Sequence, residues 1–96
     1  MALFRCSIRG ENFPGEMIRM KGLVGFYTTR WIEADSAEQA EMSALELLRT
    51  EPTFQIKSPK LREQSKAKVY FEEILEVASD TPRVPPNKGA TWFEMN

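Results

Sequence analysis

The stretch GFYTTRW, residues 25–31, decides how the chain folds. β-Branched and aromatic side chains fit the pleated surface of a strand, and such residues are dense over the whole run 23–34. Successive side chains of a strand point to opposite faces. Both faces carry large apolar groups, with Phe26 and Ile32 on one and Tyr27 and Trp31 on the other. The sequence therefore predicts a strand that is covered on two sides.

The residues before this strand supply a first strand to pair with it. Apolar and polar residues alternate over residues 3–9, with Phe4, Cys6 and Ile8 on the apolar side. Glycine, asparagine and proline recur over residues 10–22, and these residue types are typical of a connection. We expect the two strands to form an antiparallel pair.

One helix follows, over DSAEQAEMSALELLRTEP, residues 35–52. Ser36 can cap its first turn, and Gln39, three residues later, completes a capping box. Pro52 ends it, because proline cannot continue a helix. Small alanines begin the apolar stripe and allow the backbone to lie close to a sheet. The stripe consists of Ala37, Ala40, Ala44, Leu47 and Leu48.

The segment AKVYFEEILEVA, residues 67–78, fits both a helix and a strand pattern. We choose a strand, because a hairpin and one helix need a third strand to close a sheet, and the segment is rich in β-branched and aromatic residues. Between the helix and this strand, residues 53–66 predict a short extension and then a basic loop. Its cations are Lys57, Lys60, Arg62 and Lys66.

The order β-β-α-β predicts an α+β fold, with a three- to four-stranded, largely antiparallel sheet and one helix packed on one face. This arrangement resembles a ferredoxin-like fold with one helix missing, and a resemblance in fold alone does not indicate a function. Residues 1–80 would form a single domain. Residues 81–96 are rich in turn residues and proline and predict an extended tail that docks on the domain or on a neighbouring subunit. Its anchors would be Trp92 and Phe93.

One helix covers only one face of a sheet, so the second face needs another cover. That face is predicted to present Tyr27, Thr29, Trp31, Tyr70 and Ile74. Three covers would serve: the tail through Trp92 and Phe93, a second copy of the chain, and single-stranded nucleic acid whose bases stack on the aromatic rings. We prefer the homodimer, with an unidentified protein partner as another occupant.

Charge argues against nucleic acid and against an anionic membrane surface. The chain has 13 basic and 14 acidic residues, a formal net charge of -1. Phosphate binding is favoured by a basic surface, which this composition does not provide. No apolar run approaches the roughly 18 residues that a membrane span needs, and the first residues show no secretion signal. We expect a cytoplasmic protein.

The sequence offers no catalytic, cofactor or metal site. It has no histidine, the commonest general base and metal ligand, so Cys6 has no base to activate it and no second cysteine to pair with. The glycine spacings match no phosphate-binding loop. Three glutamates at 72, 73 and 76 are too few oxygen ligands for a hard metal ion. We therefore expect no enzyme, with a small-molecule-binding or cofactor-dependent enzyme subunit as the third alternative.

Two charged residues interrupt predicted apolar rows. Arg30 shares a face with Phe26, and Glu73 shares one with Phe71. An unpaired buried charge is costly, whereas a hydrogen-bonded ion pair can be tolerated. The sequence thus predicts either a buried Arg30–Glu73 pair or a β-bulge that turns one of the two outward.

Overall fold

The computed structural model of this chain describes residues 1–55 and 66–95. Five regular elements are present there, with short 3₁₀ turns at Gly15–Ile18 and Pro52–Phe54. They are β1 (Ala2–Pro14), β2 (Leu23–Ala34), α1 (Ala37–Thr50), β3 (Lys68–Val77) and β4 (Thr91–Met95). The strand predicted at 67–78 is confirmed as β3. The predicted basic loop falls mostly on residues 56–65, outside the described part of the chain.

The strands form one four-stranded sheet in the order β3-β1-β2-β4, and every neighbouring pair is antiparallel. With the single helix, this is the predicted α+β architecture. β2 and β3 run in the same direction with β1 between them, so α1 makes the crossover that such a pair requires. The strand order does not by itself place the sheet among ferredoxin-like folds.

The helix starts where the capping residues predict. Gln39 N donates to Ser36 Oγ at 3.2 Å, and Asp35 N donates to Gln39 Oε1 at 3.0 Å, which satisfies two backbone donors at the helix start. Ala40 and Ala44 are fully buried, so the helix backbone lies close to the sheet. No helix within residues 1–55 and 66–95 is long and apolar enough to cross a membrane.

The core lies between α1 and one face of the sheet, and Phe26 is at its centre. The Phe26 ring contacts Phe13, Phe54 and Trp92, with ring centroids 5.2, 4.8 and 5.2 Å away. The same ring lies over Gly10, its cross-strand neighbour, where a Cβ atom would collide with it. A glycine is therefore required at position 10 for the ring to lie flat on the sheet.

A β-bulge in β3 changes which side chains share a face. Phe71 pairs with Ile8 and Glu73 with Ser7, so Glu72 is an extra residue between them. Beyond the bulge, Ile74 lies opposite Cys6 and packs against the core beneath the helix. This corrects the sequence analysis, which placed Ile74 on the second face by strict alternation.

Residues 78–90, which we call the crossing segment, connect β3 to β4 across the sheet, because these two strands form its opposite edges. Hydrogen bonds place this segment along β2: Arg83 donates to Glu33, and Thr28 donates to the carbonyl of Gly89. The segment predicted as a tail then ends as β4, which pairs with β2 of the same chain.

Candidate functional site on the helix-free face

The side of the sheet opposite α1, here called the helix-free face, is built from three strands in register. The central strand β1 contributes Arg5, Ser7 and Arg9. Each has one neighbour in β2 and one in β3, and the cross-strand rows are Trp31–Arg5–Leu75, Thr29–Ser7–Glu73 and Tyr27–Arg9–Tyr70. Two cations thus lie among aromatic, hydroxyl and acidic side chains.

The crossing segment covers Trp31. The side chain is only 5% exposed, and its Nε1 donates to the carbonyl of Pro85 at 2.8 Å. Asn87 completes the cover by bonding the Trp31 backbone: its Oδ1 accepts from the amide at 2.6 Å, and its Nδ2 donates to the carbonyl at 2.8 Å. The Asn87 side chain therefore acts as a strand partner at this edge of β2, and Trp31 is unavailable to a base or a partner protein.

Arg30, whose side chain lies on the helix side of β2, also binds the crossing segment. Its side chain is 0% exposed and makes a bidentate ion pair with Glu51, the residue that follows the end of α1. The guanidinium also donates to the carbonyls of Asn87 at 3.1 Å and Gly89 at 3.0 Å, and Nε donates to Thr28 Oγ1 at 3.1 Å. One buried cation thus joins β2, the helix end and the crossing segment.

The predicted Arg30–Glu73 pair does not form. Glu73 instead accepts from Arg5 at 2.8 Å on the helix-free face. β1 lies between the strands that carry Arg30 and Glu73, and the β3 bulge places Glu73 on the opposite face of the sheet. The other prediction, a β-bulge that turns one of the two residues outward, is what the structure shows for Glu73.

A groove of about 390 Å³ lies between the helix-free face and the crossing segment. Ser7 and Thr29 line its floor, and Glu72 and Lys88 bring one charge of each sign. Hydroxyl groups both donate and accept hydrogen bonds, and the volume is that of a small-molecule pocket. The groove can hold a small polar molecule, and among its lining side chains in the described part of the chain Glu72 is the one carboxylate.

The uncovered part of the face exposes large apolar side chains. Tyr27 is 50% exposed, Tyr70 38% and Leu75 43%. The Arg9 guanidinium lies 5.0 Å from the Tyr70 ring centroid, a cation–π contact. This part of the face is therefore an apolar patch with a cation at its centre.

The predicted anchors dock on their own chain, on opposite faces of the sheet. The Trp92 ring packs against Phe26 and Phe54 on the helix side, with centroids 5.2 and 5.7 Å away. Phe93 lies on the helix-free side, 5.2 Å from Tyr27. Of the two predicted anchors, only Phe93 therefore helps to cover the helix-free face, and Tyr27 remains half exposed.

Cys6 is a core thiol and not a nucleophile. It is fully buried, and burial, together with the Glu41 carboxylate, raises its pKa from 9.0 to about 11. The thiol is therefore protonated at neutral pH. Within the described ranges, no group of three or more histidine, cysteine, aspartate or glutamate side chains could hold a metal ion.

The raised pKa predicts that Cys6 makes the protein less stable in alkali. From pH 9 upward the unfolded thiol loses its proton while the buried thiol keeps it, so the free energy of unfolding falls as pH rises towards about 11. Between pH 8 and 10 we expect the wild type to lose up to about 1.4 kcal/mol relative to Cys6→Ala. Urea denaturation of both proteins at both pH values measures this difference, and an equal loss in the two would contradict it.

Sequence reasoning missed Glu51, Pro85 and Asn87. Glu51 precedes Pro52 and its position indicates only a helix end, while PPNKG, residues 85–89, has the composition of any turn. An asparagine whose side chain pairs with a strand edge leaves no periodic pattern in the sequence. The buried cation was the one available signal, because Arg30 in an apolar row requires acceptors.

Comparisons with protein-family models, curated proteins and solved structures found no match for this chain. The geometry of the helix-free face and its groove is therefore the basis for a functional proposal.

Proposed function

We propose that this chain is a small, non-catalytic cytoplasmic protein that acts through protein contacts and forms a homodimer. The observation that carries this proposal is the distribution of exposed apolar side chains. Seven large ones are exposed in the described part of the chain, and four of them belong to the helix-free face. These are Leu23, Tyr27, Tyr70 and Leu75. Apolar surface gathered on one side of a small domain favours association.

The charges of this face suit a protein surface better than a phosphate backbone. Arg5 forms an ion pair with Glu73 at 2.8 Å and Arg9 forms one with Glu11 at 3.3 Å, so both signs alternate over a short distance. The Nε atoms of the two arginines have no hydrogen-bond partner among the described residues. A second copy carries the same mixture of carboxylates and cations, so the face as a whole does not repel it as it would repel a phosphate backbone.

One observation favours single-stranded nucleic acid as the alternative. Arg9 lies between Tyr27 and Tyr70 in one cross-strand row, an arrangement on which bases can stack. Trp31, the other predicted stacking residue, is buried, and Glu72 and Glu73 would repel phosphates. We expect no saturable binding of a fluorescein-labelled oligothymidylate, whereas binding that weakens steeply with salt would favour the alternative.

The oligomeric state tests the proposal directly. Light scattering over a dilution series should give a molar mass near twice 11.0 kDa at high concentration and a fall towards 11.0 kDa on dilution. Tyr70→Ser should raise the dimer dissociation constant about tenfold, because it removes an exposed aromatic ring from the contact surface. Met42→Ser is the matched control, since Met42 is 70% exposed on α1. A mass of 11.0 kDa at every concentration would overturn the homodimer.

A further inference from the structure

We infer that the second copy pairs with the outer edge of β3, joining two four-stranded sheets into one of eight strands. This inference rests on the proposed homodimer. β3 is an edge strand of ten residues, and in the described part of the chain only β1 pairs with it. The unpaired backbone groups of such an edge are a template for another strand.

β2 cannot serve as this edge. One side of it is paired with β1, and the other side is occupied by β4 and by the Asn87 side chain. β4 is the remaining edge and has only five residues. β3 therefore offers twice the length of backbone to a partner strand.

The bulge at Glu72 selects one register. Before the bulge, Phe71 faces the helix and Tyr70 the helix-free side; after it, Ile74 faces the helix and Leu75 the helix-free side. A two-fold axis normal to the sheet keeps the corresponding faces of both copies on the same side, so paired residues must share a face. The register that satisfies this condition throughout places Phe71 opposite the partner's Ile74 and Tyr70 opposite the partner's Leu75.

This register matches large apolar side chains with one another. Tyr70 and Leu75 are 38% and 43% exposed in the single chain. In the dimer, Tyr70 would be covered by the partner's Leu75, and Leu75 by the partner's Tyr70. Cross-strand pairs of aromatic and aliphatic residues stabilise an antiparallel ladder. The two copies would thus cover the apolar side chains that the edge strand exposes.

Two like charges face each other at the centre of this register and weaken the association of the two copies. The register places Glu72 opposite the partner's Glu73, and like charges directly opposite each other destabilise a pair of strands. Arg5, bonded to Glu73 at 2.8 Å, offsets part of this repulsion. The dimer is therefore concentration-dependent, and Glu72→Gln should lower its dissociation constant several-fold.

Disulfide trapping tests the register. In a Cys6→Ala background, Tyr70→Cys and Leu75→Cys are prepared separately and oxidised with glutathione disulfide, alone and as an equimolar mixture. Positions 70 and 75 face each other across the axis, whereas like positions are roughly 17 Å apart along the strands. The mixture should give several-fold more disulfide-linked dimer than either variant alone, and equal yields in all three samples would overturn the register.

Two further variants separate this inference from the homodimer itself. Leu75→Lys should raise the dissociation constant about tenfold, because it removes the apolar contact with the partner's Tyr70 and adds a second cation near the Arg9 guanidinium, which lies 5.0 Å from that ring, while Met42→Lys on α1 should leave it unchanged. A dimer by mass that shows no preferential trapping and tolerates Leu75→Lys would overturn the β3 interface and leave the homodimer standing. A monomer at all concentrations would overturn both, and circular dichroism of each variant checks that it folds.

Discussion

Replacing Arg30 by methionine should lower the free energy of unfolding by about 3–5 kcal/mol, the loss expected when one partner of a buried ion pair is removed. Methionine keeps most of the side-chain volume, so the effect reports the lost charge and hydrogen bonds. Glu51 would lose its guanidinium partner, and the carbonyls of Asn87 and Gly89 would each lose a buried donor. Urea denaturation followed by circular dichroism measures the change.

Arg5→Met is the matched control for this substitution. Arg5 also pairs with one carboxylate, but its side chain is 39% exposed and the partner's 51%, so water replaces much of what is lost. We expect a loss of less than about 1 kcal/mol there. Equal losses for Arg5→Met and Arg30→Met would show that the buried network does not hold the crossing segment.

A double-mutant cycle adds a second check on the network. Glu51→Leu should also be strongly destabilising, because it leaves the Arg30 charge buried without a carboxylate. The double variant Arg30→Met with Glu51→Leu removes both charges and should lose less than the sum of the two single changes. Strictly additive losses would mean that the two side chains do not interact energetically.

Local patterns, with one topological argument, predict four of the five regular elements of this fold; the fifth, β4, lies in the segment predicted as an extended tail. Alternating apolar residues gave β1 and β2, and the capping box with the alanine stripe gave α1, because these signals depend on neighbours within a few residues. The segment at 67–78 fitted two patterns, and a topological argument resolved it. In each case the information lies within one element or in the need to close one sheet.

The candidate site was harder, because its geometry depends on contacts between distant parts of the chain. Strict alternation put Ile74 on the second face, but the extra residue at Glu72 reverses the alternation after it. The position of Arg30 in an apolar row indicates that it needs an acidic partner but does not identify that partner. In the structure the partner is Glu51, not Glu73. The cover over Trp31 comes from residues more than fifty positions away, which no local pattern reports.

Truncating Trp31 to alanine should lower the free energy of unfolding by about 3–5 kcal/mol, because it empties a buried site beneath the crossing segment. Trp31→Phe keeps most of the ring but leaves the carbonyl of Pro85 without its donor, and it should cost about 1–3 kcal/mol. Urea denaturation gives both values. Hydrogen exchange at the Trp31 amide, which is bonded to Asn87, reports whether the crossing segment has loosened.

Tyr27→Ala on the same face of β2 is the control that distinguishes a structural anchor from a contact residue. Tyr27 is half exposed, so its loss should destabilise the chain far less than the loss of Trp31. If Trp31 is the anchor of the crossing segment, its replacement changes stability and exchange before it changes association. A Trp31→Ala protein of undiminished stability that no longer forms a dimer would instead make Trp31 an interface residue, and the segment that covers it in the single chain would then have to move aside for the partner.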